Sequence, residues 1–308
     1  MKNNPIICIG ATLVDESFRC IENPINGTSN PAEYFRSPGG VAHNISRHLA
    51  LLGHHVELIT HFGNDTDGDW LMQKCKSGGV GISHSLINLS STGRYVAILS
   101  PSGDLFAGAV TTSFENEITP EFLNNKKRFL KTASLLQIDC NLSTTTLDWL
   151  IQFSREENIP CIIEPVSISK ASRLQNVDLK DVLLITPNLD EMNALTGSIG
   201  DNNPATAIQQ LLKRGVKYLW VRKGKNGSDI YSSADHFELA APDVNVIDST
   251  GAGDASLAGW IHAWIMKNNP ENCLRYGHAL ASLVLQTKGA IQQKLTKDIL
   301  KISFDKIN

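Results

Sequence analysis

The 308-residue chain predicts an α/β fold built on a mostly parallel sheet with helices on both faces. Two observations carry that expectation. From about residue 118 onward, short apolar runs alternate with segments of helical spacing. The runs LLQID (135–139), CIIEPV (161–166), VLLITPN (182–188) and YLWVRKG (218–224) are apolar throughout and do not alternate with polar residues. Strands buried on both faces read that way, and strand–helix–strand alternation is the signature of a parallel sheet covered by helices.

The elements follow in order. Ile6–Gly10 and Val56–Phe62 read as strands of the same sheet. Residues 12–36 and 92–110 are extended, rich in Gly, Ser, Asn and Thr, and poorly helical. They read as a small β-lid inserted into the α/β body, so that residues 1–308 form a single domain with lid segments at about 12–36 and 92–110. In SPGGVAHNISRHLALLG (37–53), Ile45, Leu49 and Leu52 share one helix face and Gly53 stops the helix. In STTTLDWLIQFSREEN, Leu147, Leu150, Ile151 and Ser154 share a face, and Ser143 is a candidate N-cap. Ile208, Leu211 and Leu212 repeat the pattern before Gly215. Trp149, Trp260 and Trp264 lie in apolar helical runs and are expected in the core.

Composition narrows the function. A hydrophobic content of 42% and a charged content of 19% are those of an ordinary globular protein. A net charge of −3 gives no electrostatic footprint for nucleic acid or an anionic membrane, yet leaves small phosphate compounds open. Cys8, Cys20, Cys75, Cys140, Cys161 and Cys273 form no CxxC pair and are expected to be reduced thiols. The N-terminus MKNNPIICIG lacks signal-peptide architecture, and Ala255–Met266 is too short to span a bilayer. A cytoplasmic location is the expectation.

Chemistry concentrates where the strands end: Asp139, Glu164, Asn188 with Glu191, then Lys223-Gly224. Open α/β sheets bind ligands beyond the carboxyl ends of their strands, although loops are polar in any case. Gly39 and Gly40 permit close approach of a ligand to the backbone ahead of a helix, and Asn44 projects from its first turn. That segment is equally readable as an ordinary loop and a polar surface residue.

The stretch DSTGAGDASLAG (248–259) is sharper. The amides of Gly251, Ala252 and Gly253 are placed to converge on an anion, with a helix dipole behind them. Asp254 follows with nothing basic beside it in the sequence. A carboxylate would repel a resting phosphate, but it is useful as a base for a hydroxyl that attacks phosphorus. The competing reading is a simple helix cap. Asn188–Glu191 is a capping box by pattern, or a site for Mg²⁺ held through water. RKGKNG (222–227) is no Walker A loop, and Ser256 breaks the dinucleotide fingerprint. No HExxH or GxSxG occurs.

Taken together, GGVAHN…G (39–53) and DSTGAGD (248–254) resemble the two signatures of the ribokinase-like (PfkB) carbohydrate kinases, and the resemblance runs from GATLVD to the KGA segment. It implies a three-layer α/β fold with a β-lid and ATP-dependent phosphorylation of a primary hydroxyl of a small nucleoside or sugar. Asp254 then matches the catalytic base, and Gly251, Ala252 and Gly253 match the anion hole. Asn188 and Glu191 match the motif associated with Mg²⁺ and phosphate. Asp15, Gly39, Gly40, Asn44 and Asp139 match substrate-holding positions; Lys223, Gly224, Gly227, His278 and Gly289 fall where the family places its nucleotide. The resemblance allows a monovalent cation such as K⁺ near Asp248 and the KGA segment, and a homodimer through the lid.

Within the family, PGGVAHNISRHLALLG, DCNLS, EPVS and TPNLDEM are most similar to the pseudouridine kinases. Three departures stand out: Glu164 where those kinases carry Asp, FAGAVTT (106–112) without their Asn-Asp, and Trp260 where the family has a smaller residue or Phe or Tyr.

Overall fold

The computed structural model describes residues 4–112, 114–197 and 203–307. The first half runs β1 (Ile6–Ile9), β2 (Leu13–Cys20), β3 (Ala32–Gly39), α1 (Val41–Leu51), β4 (Val56–Ile59), β5 (His61–Gly63), α2 (Thr66–Ser77), β6 (Leu86–Asn88), β7 (Arg94–Leu99) and β8 (Leu105–Thr111). The second half runs β9 (Leu135–Asp139), α3 (Thr144–Glu156), β10 (Cys161–Glu164), β11 (Leu184–Ile185), α4 (Leu189–Thr196), α5 (Pro204–Lys213) and β12 (Tyr218–Arg222). It closes with β13 (Ser228–Tyr231), β14 (His236–Leu239), α6 (Ala252–Ile265), α7 (Pro270–Leu285) and α8 (Lys297–Phe304). Short helical turns fill several connections.

Eight strands form the main sheet in the order β14-β13-β12-β11-β10-β9-β1-β4. All pairings from β4 to β12 are parallel, and β13 and β14 continue antiparallel at one edge. Successive side chains of each strand feed different cores, because a strand has period two. Ile6, Cys8, Ile162 and Trp220 pack with α1, α6 and α7, whereas Ile7, Ile9, Ile163, Leu219 and Val221 pack with α3, α4 and α5. The result is three layers.

The helices form where the pattern places them. Ser143 caps α3 by accepting from the Thr146 amide, and Leu147, Leu150, Ile151 and Ser154 are buried. Each leucine so buried contributes about 1.5–3 kcal/mol. Ile45, Leu49 and Leu52 are fully buried under α1, and Gly53 leaves the helix with φ +75°. Trp260 is fully buried and stacks on Trp264, while Trp149 sits at the margin against Phe153. All six cysteines are free and buried. Among the described residues no helix is long and apolar enough to cross a membrane.

One strand departs from expectation. Val56–Phe62 breaks at Thr60, whose amide donates to the Ser85 hydroxyl (3.2 Å) and not to a neighbouring strand. Beyond it, β5 leaves the main sheet and pairs with β6. A second sheet, in the order β3-β2-β7-β8, combines the two segments read as extended.

Candidate active site

Loop and helix geometry at the carboxyl edge follow from glycine. Gly251 caps α6 in the left-handed region (φ 74°) and no side chain caps the helix. The Ala252 amide turns back to the Ser249 carbonyl at 3.3 Å. Among the described residues, the amides of Gly251, Gly253 and Asp254 have no acceptor. Of the three amides expected to converge on an anion, those of Gly251 and Gly253 are thus without an acceptor, that of Ala252 is engaged, and the Asp254 amide beside them is also without one. Gly40 starts α1 with φ 98°, and a Cβ there would overlap the Ala11 carbonyl.

Asp254 lies in the first turn of α6 and Asn44 in the first turn of α1. The Asn44 side-chain amide donates to Asp254 Oδ2 at 2.8 Å. Burial pushes the Asp254 carboxyl up to about 7, with Glu164 and Asp139 adding to the rise and Asn44 and Arg222 opposing it. This is the range in which a carboxylate works as a base near neutral pH. The reading of Asp254 as a mere helix cap has no support in these contacts, since its side chain bonds to another helix.

The basic partner missing from the local sequence arrives along β12. Arg222 Nη2 donates to Glu164 Oε1 at 2.6 Å, and Glu164 Oε2 accepts from the Thr186 hydroxyl at 2.6 Å. Glu191 Oε2 lies 4.0 Å from Arg222. The adjacent Lys223, and not Arg222, is the residue singled out from the sequence, as a nucleotide-binding position. The strand period held the answer: Arg222 is two residues from Trp220, whose side chain packs on the α6 side. Lys223 pairs with Asp229 (3.0 Å) and Glu238 (3.2 Å) along the β13–β14 hairpin.

The NLDE segment is a true capping box: Glu191 N–H donates to Asn188 Oδ1 and Asn188 N–H to Glu191 Oε2, each at 2.9 Å. The second oxygen of Glu191 accepts nothing among the described residues. Burial raises the Glu191 carboxyl above the ordinary range. Asp15 sits on β2 against Gly39, where a Cβ would overlap its carboxylate, and burial pushes it up to about 6. No hydrogen bond to the Asp15 carboxylate occurs among the described residues, so its oxygens are available to a ligand hydroxyl.

Asp139 is engaged by the backbone. It is fully buried, and its carboxylate accepts from the amides of Ala11 (3.0 Å), Ala42 (3.3 Å) and Asn141 (2.9 Å). Those bonds fix the loops after β1 and β9 and the first turn of α1, so the carboxylate braces the site from below. His278 is likewise buried, bonded to the Ser228 hydroxyl at 2.7 Å, and burial lowers it to about 4. It underlies the β13 turn as a neutral ring. Gly227 lets that turn approach β14, since a Cβ would overlap the Leu239 carbonyl; Gly224 also has positive φ. The Gly289 amide donates to Asp248 Oδ2 (2.9 Å) and ties the KGA segment to the glycine turn.

A cavity of about 640 Å³ lies between residues 240–244, α7 and α8, lined by Val244, Ser282, Gln286, Ile299, Ile302 and Lys306 among others. Scattered apolar and small residues gave no sequence signal for it.

Solved structures share this fold along nearly the whole chain. A carbohydrate kinase from Agrobacterium tumefaciens superimposes with a TM-score of 0.86 at 27% identity, covering 99% of this chain and 98% of that one. The ribokinase of Arabidopsis thaliana complexed with ribose and ATP gives 0.81 at 21% identity, covering 98% of each. The architecture is thus that of the ribokinase-like kinases. Residues 3–297 match the model of the pfkB family carbohydrate kinases, and the chain belongs to that family. Among its relatives, the pseudouridine kinase of Escherichia coli is 28% identical over 284 residues, which is 91% of this chain and 90% of that protein. An uncharacterized sugar kinase of the same organism is 30% identical over 261 residues, covering 83% and 71%.

Proposed function

We propose that this kinase transfers the γ-phosphoryl group of ATP to the 5′-hydroxyl of pseudouridine, giving pseudouridine 5′-phosphate and ADP. The observation that carries the phosphotransfer reading is Asp254 itself: a carboxyl raised to about 7, held by Asn44, beside amides without acceptors. Asp254 takes the proton of the attacking hydroxyl. The amides of Gly251, Gly253 and Asp254 receive the charge that spreads over the transferring group. Asp15, Gly39, Gly40 and Asn44 hold the sugar, and the β3-β2-β7-β8 sheet serves as the lid above it. The 640 Å³ cavity receives the adenine end.

Mg²⁺ fits the residues present. No group of three or more His, Cys, Asp or Glu side chains forms a metal cage among the described residues, and Glu191 keeps one unengaged oxygen. Mg²⁺ favours that arrangement, taking one carboxylate with water and phosphate oxygens, and it would supply charge neutralisation for the phosphates. A monovalent cation at the Asp248–Gly289 joint belongs to the same reading and predicts faster turnover in K⁺ than in an organic cation. A second copy would meet the lid along β8, exposed throughout, including Leu105, Phe106 and Val110; light scattering reads the resulting mass.

Pseudouridine as acceptor is supported by its relatives and by the EPVS and TPNLDEM stretches. The 106–112 segment of the lid, without the Asn-Asp pair, favours a second reading in which the acceptor is another nucleoside or a free sugar such as ribose or fructose. ADP release is measured with Mg-ATP and pseudouridine, uridine, adenosine, ribose and fructose in parallel. The proposal expects pseudouridine to be preferred over uridine, which differs only in the base linkage. A preference for ribose or fructose replaces the acceptor and keeps the chemistry.

A further inference from the structure

We infer that Arg222 is a catalytic residue whose guanidinium contacts the transferring γ-phosphoryl group, and that Glu164 positions it. The inference rests on the kinase reading and adds the one cation that the glycine turn and Asp254 lack.

The placement is specific. Arg222 Nη1 stands 2.9 Å from where a Cβ on Gly253 would be, so the guanidinium lies directly against the first turn of α6. Nη2 is committed to Glu164 Oε1 at 2.6 Å. Glu164 Oε2 is committed in turn to the Thr186 hydroxyl. Nη1 and Nε have no acceptor among the described residues, although the side chain is only 18% exposed. A guanidinium carries five donors in a fixed fork and binds phosphate oxygens in pairs. Here one edge of the fork is anchored, and Nη1 on the other lies beside Gly253.

Charge supports the same assignment. Asp254, Glu164 and Glu191 bring three carboxyl groups to this edge, and Glu164 raises the Asp254 carboxyl while Arg222 lowers it. Arg222 is the cation beside these carboxyl groups and offsets the charge that an approaching polyphosphate would meet. The glutamate at 164, one methylene longer than the aspartate of the similar kinases, reaches both Arg222 and Thr186 and so holds the fork by two bonds.

In the step itself, the acceptor oxygen forms its bond to phosphorus as the bond to the ADP oxygen breaks, and the electron pair leaves with ADP. The hydroxyl proton passes to Asp254. Arg222 stays protonated throughout and only follows the charge.

The test compares binding of Mg-ATP and Mg-ADP by titration calorimetry in the wild type, Arg222→Lys, Arg222→Gln and Glu164→Gln. Arg222→Lys keeps a cation opposite Glu164 and carries the test if Arg222→Gln does not fold. The expected result is Mg-ATP affinity weakened about 10- to 100-fold in Arg222→Lys, the loss of a charge-assisted bond, with Mg-ADP affinity within about twofold. Glu164→Gln weakens Mg-ATP in the same direction by a smaller factor. With pseudouridine as acceptor, kcat of Arg222→Lys falls by about two to three decades, as for loss of a charge-stabilising donor. A folded Arg222→Lys variant that binds Mg-ATP as the wild type does overturns the Arg222 assignment alone. A wild type that binds neither nucleotide overturns the kinase reading with it.

Discussion

Asp254→Asn is expected to fold normally and to lose roughly two to four decades of kcat, the range for removal of a general base. The fold survives because, among the described residues, the only hydrogen bond to the side chain comes from Asn44, and a carboxamide oxygen accepts that bond equally well. Chemistry does not survive, because an amide cannot take the proton of the attacking hydroxyl. Near-normal turnover of the purified variant would remove Asp254 from the mechanism. The wild-type pH profile provides a second reading of the same group. With the carboxyl at about 7, kcat/KM should rise with pH through that value, since the base must be ionised to work.

The same residue links activity to stability with a definite sign. The folded carboxyl titrates at about 7, whereas an unfolded aspartate titrates near 3.9. Between those values the folded form binds a proton that the unfolded form has released, so stability falls as pH rises across the window. Asp254→Asn removes that cost. Its Tm should exceed the wild-type Tm at pH 8, and the difference should close as pH approaches 4. A Tm for the variant below that of the wild type at pH 8 would mean that the carboxylate is stabilised by its surroundings. Strain held at a working group and relieved by its loss is the expected trade between function and stability.

How much of this was legible depends on whether a feature is contiguous. The glycine turn, Asp254 and the α1 entry at Gly39-Gly40 are local, so twelve or so consecutive residues carry both the geometry and the chemistry. The sheet was legible because strands buried on both faces read as apolar runs, and the helices because their apolar faces repeat at helical spacing. What escaped is long-range. The Arg222–Glu164 pair joins residues 58 positions apart, and no periodicity announces it. Asp139 looked like its neighbours at other strand ends, yet besides the nearby Asn141 amide, two backbone amides distant in sequence, of Ala11 and Ala42, reach it. Thr60 looked like any strand residue until the Ser85 hydroxyl captured its amide. Capping at Asn188–Glu191 was legible as a pattern, but its proximity to Arg222 was not, because that depends on β11 and β12 lying side by side.

Gly251→Ala isolates the anion hole from the base. The backbone at Gly251 is left-handed (φ 74°), which costs an L-residue about 1–2 kcal/mol before any contact is counted. Contact then makes it worse: a Cβ would stand 2.6–2.8 Å from the Cβ, Cα and carbonyl oxygen of Ala290. Those atoms cannot simply retreat, because Gly289 is tied to Asp248 by a 2.9 Å hydrogen bond. Either the glycine turn or the KGA segment must shift, and both border the amides that receive the phosphoryl charge. Loss of one such donor costs about two to three decades in kcat, so that is the expected effect, accompanied by a lower Tm. Gly27→Ala is the matched control for backbone strain: φ is 77°, but nothing lies within 4 Å of the added methyl. It should pay the backbone strain in Tm and keep kcat. If Gly251→Ala loses only what Gly27→Ala loses, the turn is a structural corner and the charge on the transferring group is met elsewhere. A separate collapse of kcat in Gly251→Ala, with Asp254 still titrating near 7 in the residual activity, assigns the proton to the carboxylate and the charge to the turn.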